Sequence, residues 1–85
     1  MKTFKCLKFK PHPLGGVRAV MLFKNGYGVS VLRGTLFYSN GVDTYEVAVL
    51  KDGHITYHTK ITNDVLGHLS ENEVTEVMKK VQELK

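Results

Sequence analysis

The stretch Phe23-Lys24-Asn25-Gly26-Tyr27-Gly28-Val29-Ser30-Val31 decides the fold. Asn25-Gly26 sits between β-branched and aromatic residues. Such a dipeptide suits a two-residue type I′ turn, because both central residues there need positive φ. Asn40-Gly41 and Asp52-Gly53 repeat the signal further on. Three such turns in register with four β-rich runs predict an antiparallel meander over 17–59. Its strands are expected at 17–24, 27–38, 43–51 and 54–59. Gly34 interrupts the second run, so a bulge is expected around Arg33-Gly34-Thr35.

Two-residue turns would also set the register. Leu22 would face Val29, Val20 would face Val31, and beyond the last turn Leu50 would face Ile55 and Ala48 Tyr57. One face then gathers Val20, Leu22, Val29, Val31, Ala48, Leu50, Ile55 and Tyr57. The other gathers Val17, Ala19, Met21, Phe23, Leu32, Val47 and Val49. Both faces are apolar, whereas a sheet with one wet face alternates more cleanly.

Outward from the meander, residues 3–9 also read as a strand. The loop 11–16, Pro11-His12-Pro13-Leu14-Gly15-Gly16, separates them from it. Toward the other end, Asn63 or Asp64 is placed to cap a short helical turn over 63–68 that Gly67 would end. Val74, Val77, Met78, Val81 and Leu84 recur at spacings of three and four and predict an amphipathic helix over 70–84. Ser70 is its expected N-cap, with Glu73 completing a capping box and Leu69 a hydrophobic staple to Val74. The whole chain of 85 residues thus reads as one α+β domain. Its architecture is an antiparallel four- to five-stranded meander packed by a C-terminal helix. One helix covers one sheet face. The second needs the segment 3–9, a second copy or another protein over it.

Composition narrows the function. Hydrophobic residues make up 42% and charged residues 24%, as in an ordinary globular chain. The single cysteine, Cys6, allows no internal disulfide, which favours a reducing compartment. The lysines near the start are followed by no apolar stretch of signal-peptide length, and no run is long enough to span a bilayer. A cytoplasmic protein without membrane partners is expected. Net charge is +4. Residues 1–42 hold seven basic and no acidic side chains, while 43–85 hold five basic and eight acidic ones. The asymmetry points to an anionic partner, unless the basic strands lie beside the acidic helix and the fields cancel.

No motif carries catalysis. His54 and His58 lie four apart, a chelating spacing on a helix but about 13 Å along a strand. Gly26-Tyr27-Gly28 leads into a strand, not the helix N-terminus that cradles phosphate. No serine lies in a nucleophile elbow, and no two carboxylates pair as acid and base. Neither a cofactor nor a small-molecule substrate is expected, and the chain reads as a binding protein, not an enzyme. The candidate partner surface is Arg18, Val20, Val29, Val31, Arg33, Ile55 and Tyr57, facing a host protein or a second copy. The alternative is nucleic acid, attracted by Lys5, Lys8, Lys10 and Lys24 with Arg18 and Arg33, and stacked on Tyr27, Phe37 and Tyr38.

Four stretches carry a resemblance: Pro13-Leu14-Gly15-Gly16-Val17, residues 23–31, Tyr45-Glu46-Val47-Ala48-Val49-Leu50, and residues 61–70. Together they resemble small hypothetical proteins of tailed bacteriophages. The resemblance implies a viral product made in a bacterial cytoplasm, of the kind that binds and redirects or inhibits host machinery, defence systems included. It brings no catalytic residues.

Overall fold

The computed structural model describes residues 1–62 and 64–85. It forms an antiparallel sheet with a helix across one face. The strands are β1 (Lys10–Pro11), β2 (Val17–Leu22), β3 (Tyr27–Arg33), β4 (Tyr45–Lys51), β5 (His54–Ile55) and β6 (Leu66–Leu69), followed by α1 (Glu71–Gln82). Sheet order is β1-β2-β3-β4-β5, and β6 pairs with β4. β5 covers the Leu50–Lys51 end of the β4 edge and β6 the Tyr45–Val47 end.

The first hairpin departs from the expected register by one residue. Phe23 N donates to Tyr27 O at 2.7 Å, closing a three-residue loop of Lys24, Asn25 and Gly26. Gly26 takes φ +87 while Asn25 keeps negative φ. This is the type I turn with a following left-handed residue that three-residue hairpins use. Met21 therefore faces Val29, Ala19 faces Val31, and Leu22 faces Gly28. Because side chains alternate, a slip of one residue exchanges faces. Val29 and Val31 join Val17, Ala19, Met21 and Phe23, while Leu32 joins Val20 and Leu22.

The other turns divide. Asp52 (φ +53) and Gly53 (φ +84) form the expected two-residue turn, with Leu50 opposite Ile55. Thr56 N still reaches Val49 O at 2.9 Å, but β5 ends at Ile55 and no Ala48–Tyr57 pair forms. Asn40-Gly41 makes no tight hairpin. β3 stops at Arg33 without a bulge, and residues 34–44 form a wide loop built on side chains. Asn40 Oδ1 accepts from the N–H groups of Val42, Asp43 and Thr44. Ser39 Oγ accepts from Gly34 N and Gly41 N and donates to Thr44 O at 2.7 Å. Asn and Ser offer the backbone local partners that compete with ladder pairing.

The helix is as expected, because its signals are local. Ser70 Oγ accepts from Glu73 N at 3.2 Å, and Glu73 Oε1 accepts from Ser70 N at 2.9 Å. Val74, Met78 and Val81 are fully buried against Val29, Val31, Tyr45, Val47 and Val49. Each contributes about 1.5–3 kcal/mol relative to an exposed position. Residues 3–9 are not a strand. Phe4–Cys6 is a 3-10 turn, and Phe4, Leu7 and Phe9 drop into the same core. Phe4 and Phe9 stand 5.0 and 5.7 Å from the Tyr45 ring. Phe4 N donates to Thr75 Oγ1, and Lys2 exchanges two hydrogen bonds with Gln82. The segment thus lies on the helix side and does not cover the opposite face. The helical turn expected over 63–68 gives way to β6. Gly67 and His68 stand opposite Glu46 in a bulge, with His68 at φ +55. Asn63, offered as a cap for that turn, lies outside the described residues.

Candidate binding surface

The face opposite α1 is built from alternate residues of four strands. One row runs Leu22, Gly28, Leu50, Ile55, and the next runs Val20, Ser30, Ala48. Arg18, Leu32 and Glu46 form a third row. The first row crosses three inter-strand gaps, roughly 14 Å. Its middle is low, because Gly28 has no side chain. A Cβ there would fall 2.9 Å from Leu22 Cδ2, so Leu22 leans across it. Ser30, Ala48 and Leu50 are buried, while Leu22 is 62% exposed, Ile55 51% and Val20 47%. Tyr57, two residues beyond Ile55, is also exposed. The wide loop joins at the Glu46 end, where Tyr38 N donates to Glu46 Oε1 at 3.2 Å. Tyr38 itself is exposed, as are Leu36 and Val42 of the same loop.

Three of the seven candidate surface residues, Arg18, Val20 and Ile55, are exposed on this side of the molecule, and Tyr57 is exposed beyond the end of β5. Val29 and Val31 are not. Both are fully buried under α1, because the three-residue loop turns β2 over relative to them. Arg33 belongs to the helix face by register. Its Nη1 donates to the Tyr45 hydroxyl at 3.3 Å, and its guanidinium lies 5.8 Å from that ring centroid. Against expectation, Leu22 and Leu32 share the face opposite Val29. The signal that finds them is the Phe23–Tyr27 pair, two aromatic residues that a three-residue loop sets directly opposite each other.

Of the basic candidates, Lys8 and Lys10 converge with Arg18. They line a depression of about 490 Å³ with Pro11, His12, Pro13 and Val20. Lys24 lines a second one, about 680 Å³, with Met1, Lys2, Cys6, Leu22, Phe23, Asn25 and Gln82. No Asp or Glu lines either. Lys5 is exposed on the 3-10 turn and lines neither. His12 serves its own loop, accepting from Leu14 N through Nδ1 at 3.1 Å and meeting the Phe37 ring edge-on at 5.0 Å. Among the described residues no three His, Cys, Asp or Glu side chains cluster around a possible ion. No described helix is long and apolar enough to cross a membrane.

Comparison with protein-family models, curated proteins and solved structures finds no match.

Proposed function

We propose that this chain is a small accessory protein that acts by protein–protein binding, docking its partner on the open sheet face. The carrying observation is the set of exposed apolar side chains Val20, Leu22 and Ile55 at the two sides of a row whose middle, Gly28 and Leu50, is buried, with Tyr57 close in sequence and Arg18 at its rim. An apolar centre with a charged edge is the anatomy of a protein interface. Arg and Tyr are the residue types that most often anchor one. The resemblance to tailed-phage proteins supports a bacterial host factor as the partner.

The test compares wild type with a Val20→Glu, Ile55→Glu double variant as affinity baits in bacterial lysate. A captured protein is then purified and titrated against both. The expected result is a direct partner whose affinity falls at least about a hundredfold for the variant, at an unchanged melting midpoint. A partner that binds both baits equally sinks the reading.

The convergence of Lys8, Lys10 and Arg18 supports a second reading, nucleic-acid binding. It requires binding that falls steeply with added salt. Charge reversal at Lys8 and Lys10 leaving that binding unchanged would eliminate it.

A further inference from the structure

The outer edge of β2 is only partly covered by a strand. β1 pairs only through Lys10↔Arg18 and Pro11↔Val17. Phe23 N bonds Tyr27 O, which fixes the alternation of the β2–β3 ladder. Residues 17, 19 and 21 turn their backbone groups toward β3. Residues 18, 20 and 22 turn theirs outward. The same alternation follows from the other side, where His12 N bonds Gly16 O and sets Lys10 facing Arg18. The N–H and C=O groups of Val20 and Leu22 therefore point past the end of β1. Among the described residues no strand pairs with them. The cause is the core. Phe4, Leu7 and Phe9 pull residues 4–9 toward α1 and away from β2. The two depressions flank the gap that this parting leaves. Lys2, Lys8, Lys10, Arg18 and Lys24 line them, and no carboxylate does.

We infer that this edge accepts an extended acidic segment of another protein as an added strand beside Val20–Leu22. The inference rests on the open-face reading and names the partner's chemistry. Unpaired N–H and C=O groups spaced along a strand match a polypeptide backbone. Val20 and Leu22 offer apolar contacts to alternate side chains of the incoming strand, and the cations meet carboxylates between them. A second copy pairing through the same edge would bring its own cations against these. For single-stranded nucleic acid the gap lacks a free stacking platform. His12 is engaged with Phe37, and Phe23 packs against the core.

The test uses the full chain, isotope-labelled, with an end-blocked peptide of alternating Glu and Val as probe. Its controls are the same peptide with Lys for Glu, a backbone N-methylated version, and a short oligo(dT). Saturating Glu-Val peptide should slow amide exchange at Val20 and Leu22 by about tenfold or more. The Lys and N-methylated peptides should not. Lys10→Glu with Arg18→Glu should weaken Glu-Val binding at least about tenfold, whereas Lys80→Glu, an exposed charge reversal on α1 that lines neither depression, should leave it intact. Preference for oligo(dT) overturns the proposal in favour of nucleic acid. Protection of Val20 and Leu22 in a concentration-dependent dimer, without peptide, overturns it in favour of a second copy. Unchanged exchange at both amides, with partner binding still lost in the Val20→Glu, Ile55→Glu variant, removes the strand-addition idea and leaves the open face standing.

Discussion

Asn25, in the loop between β2 and β3, caps the far end of the helix: its Nδ2 donates to Val81 O at 2.9 Å and to Leu84 O at 3.0 Å. The last carbonyls of a helix have no partner within it. Here the hairpin supplies one, and Asn25 Oδ1 meanwhile accepts from Tyr27 N at 3.1 Å. One side chain thus joins sheet register to helix end. Asn25→Ala is expected to lower stability by about 1–2 kcal/mol, from the lost bonds to Leu84 O and to Val81 O, the latter keeping its bond from Leu84 N. Asn25→Asp should be worse, because it places a negative charge at the negative end of the helix dipole. Urea titration of the three proteins checks both. Equal stability of the alanine variant and wild type would refute the capping role.

The helix start makes a second test. Ser70→Ala should cost about 1 kcal/mol. Glu73→Ala should cost less, and the double variant should fall short of the sum, because the two side chains complete one reciprocal box. An unchanged melting midpoint in Ser70→Ala would dismiss the cap.

The face assignment can be read from two valines. Val29→Ala empties a fully buried site and should destabilise by about 2 kcal/mol. Val20→Ala, on the open face, should stay within about 0.5 kcal/mol of wild type. The reverse order would mean that β2 sits in the other register.

Ser39 organises the wide loop with three hydrogen bonds to backbone groups, and it is buried. Ser39→Ala should cost about 2–3 kcal/mol, since three backbone groups lose their partner at once. Ser39→Thr, which keeps the hydroxyl, should restore part of it. A loss of less than half the stated cost in the alanine variant would show that water replaces the hydroxyl.

Cys6 offers a pH measurement. A hydrogen bond to the Thr3 backbone holds its thiol below the ordinary range; the Thr3 side chain, Lys2 and the N-terminal charge add to this, and slight burial opposes it. A lowered pKa keeps thiolate present at lower pH. The rate of alkylation by iodoacetamide should therefore reach half its plateau at lower pH than for a free thiol. A midpoint at or above the free thiol's would contradict the hydrogen bond.

What was legible in the sequence follows the range of the interaction. The capping box, the α1 face and the Asp52-Gly53 turn are set by residues within a few positions of each other, and each stands where the sequence places it. Asn25-Gly26 is ambiguous by nature, since both the two- and the three-residue loop put glycine at positive φ. A distant partner, the end of α1, draws on the Asn25 side chain. Residues 3–9 carry a strand-like pattern, yet packing on Tyr45 from 36 positions or more away curls their start. β6 carries little sequence signal because it is short and bulged at Gly67 and His68. For the surface, the exposure of Arg18, Val20, Ile55 and Tyr57 could be read from the sequence. Val29 and Val31 could not, because their side depends on a loop one residue longer than its dipeptide suggests.

That extra residue has a consequence for folding. The two sides of β2, Val17/Ala19/Met21 and Arg18/Val20/Leu22, are similarly apolar, so burial alone separates them weakly. A hairpin closing early through two residues would present Val20 and Leu22 to the core and form a slipped, compact competitor. The native order is then enforced late, when α1 docks and its end meets Asn25. Refolding of Asn25→Ala should accordingly populate a slow phase that wild type lacks, and deletion of Lys24 should make the slipped sheet the stable one.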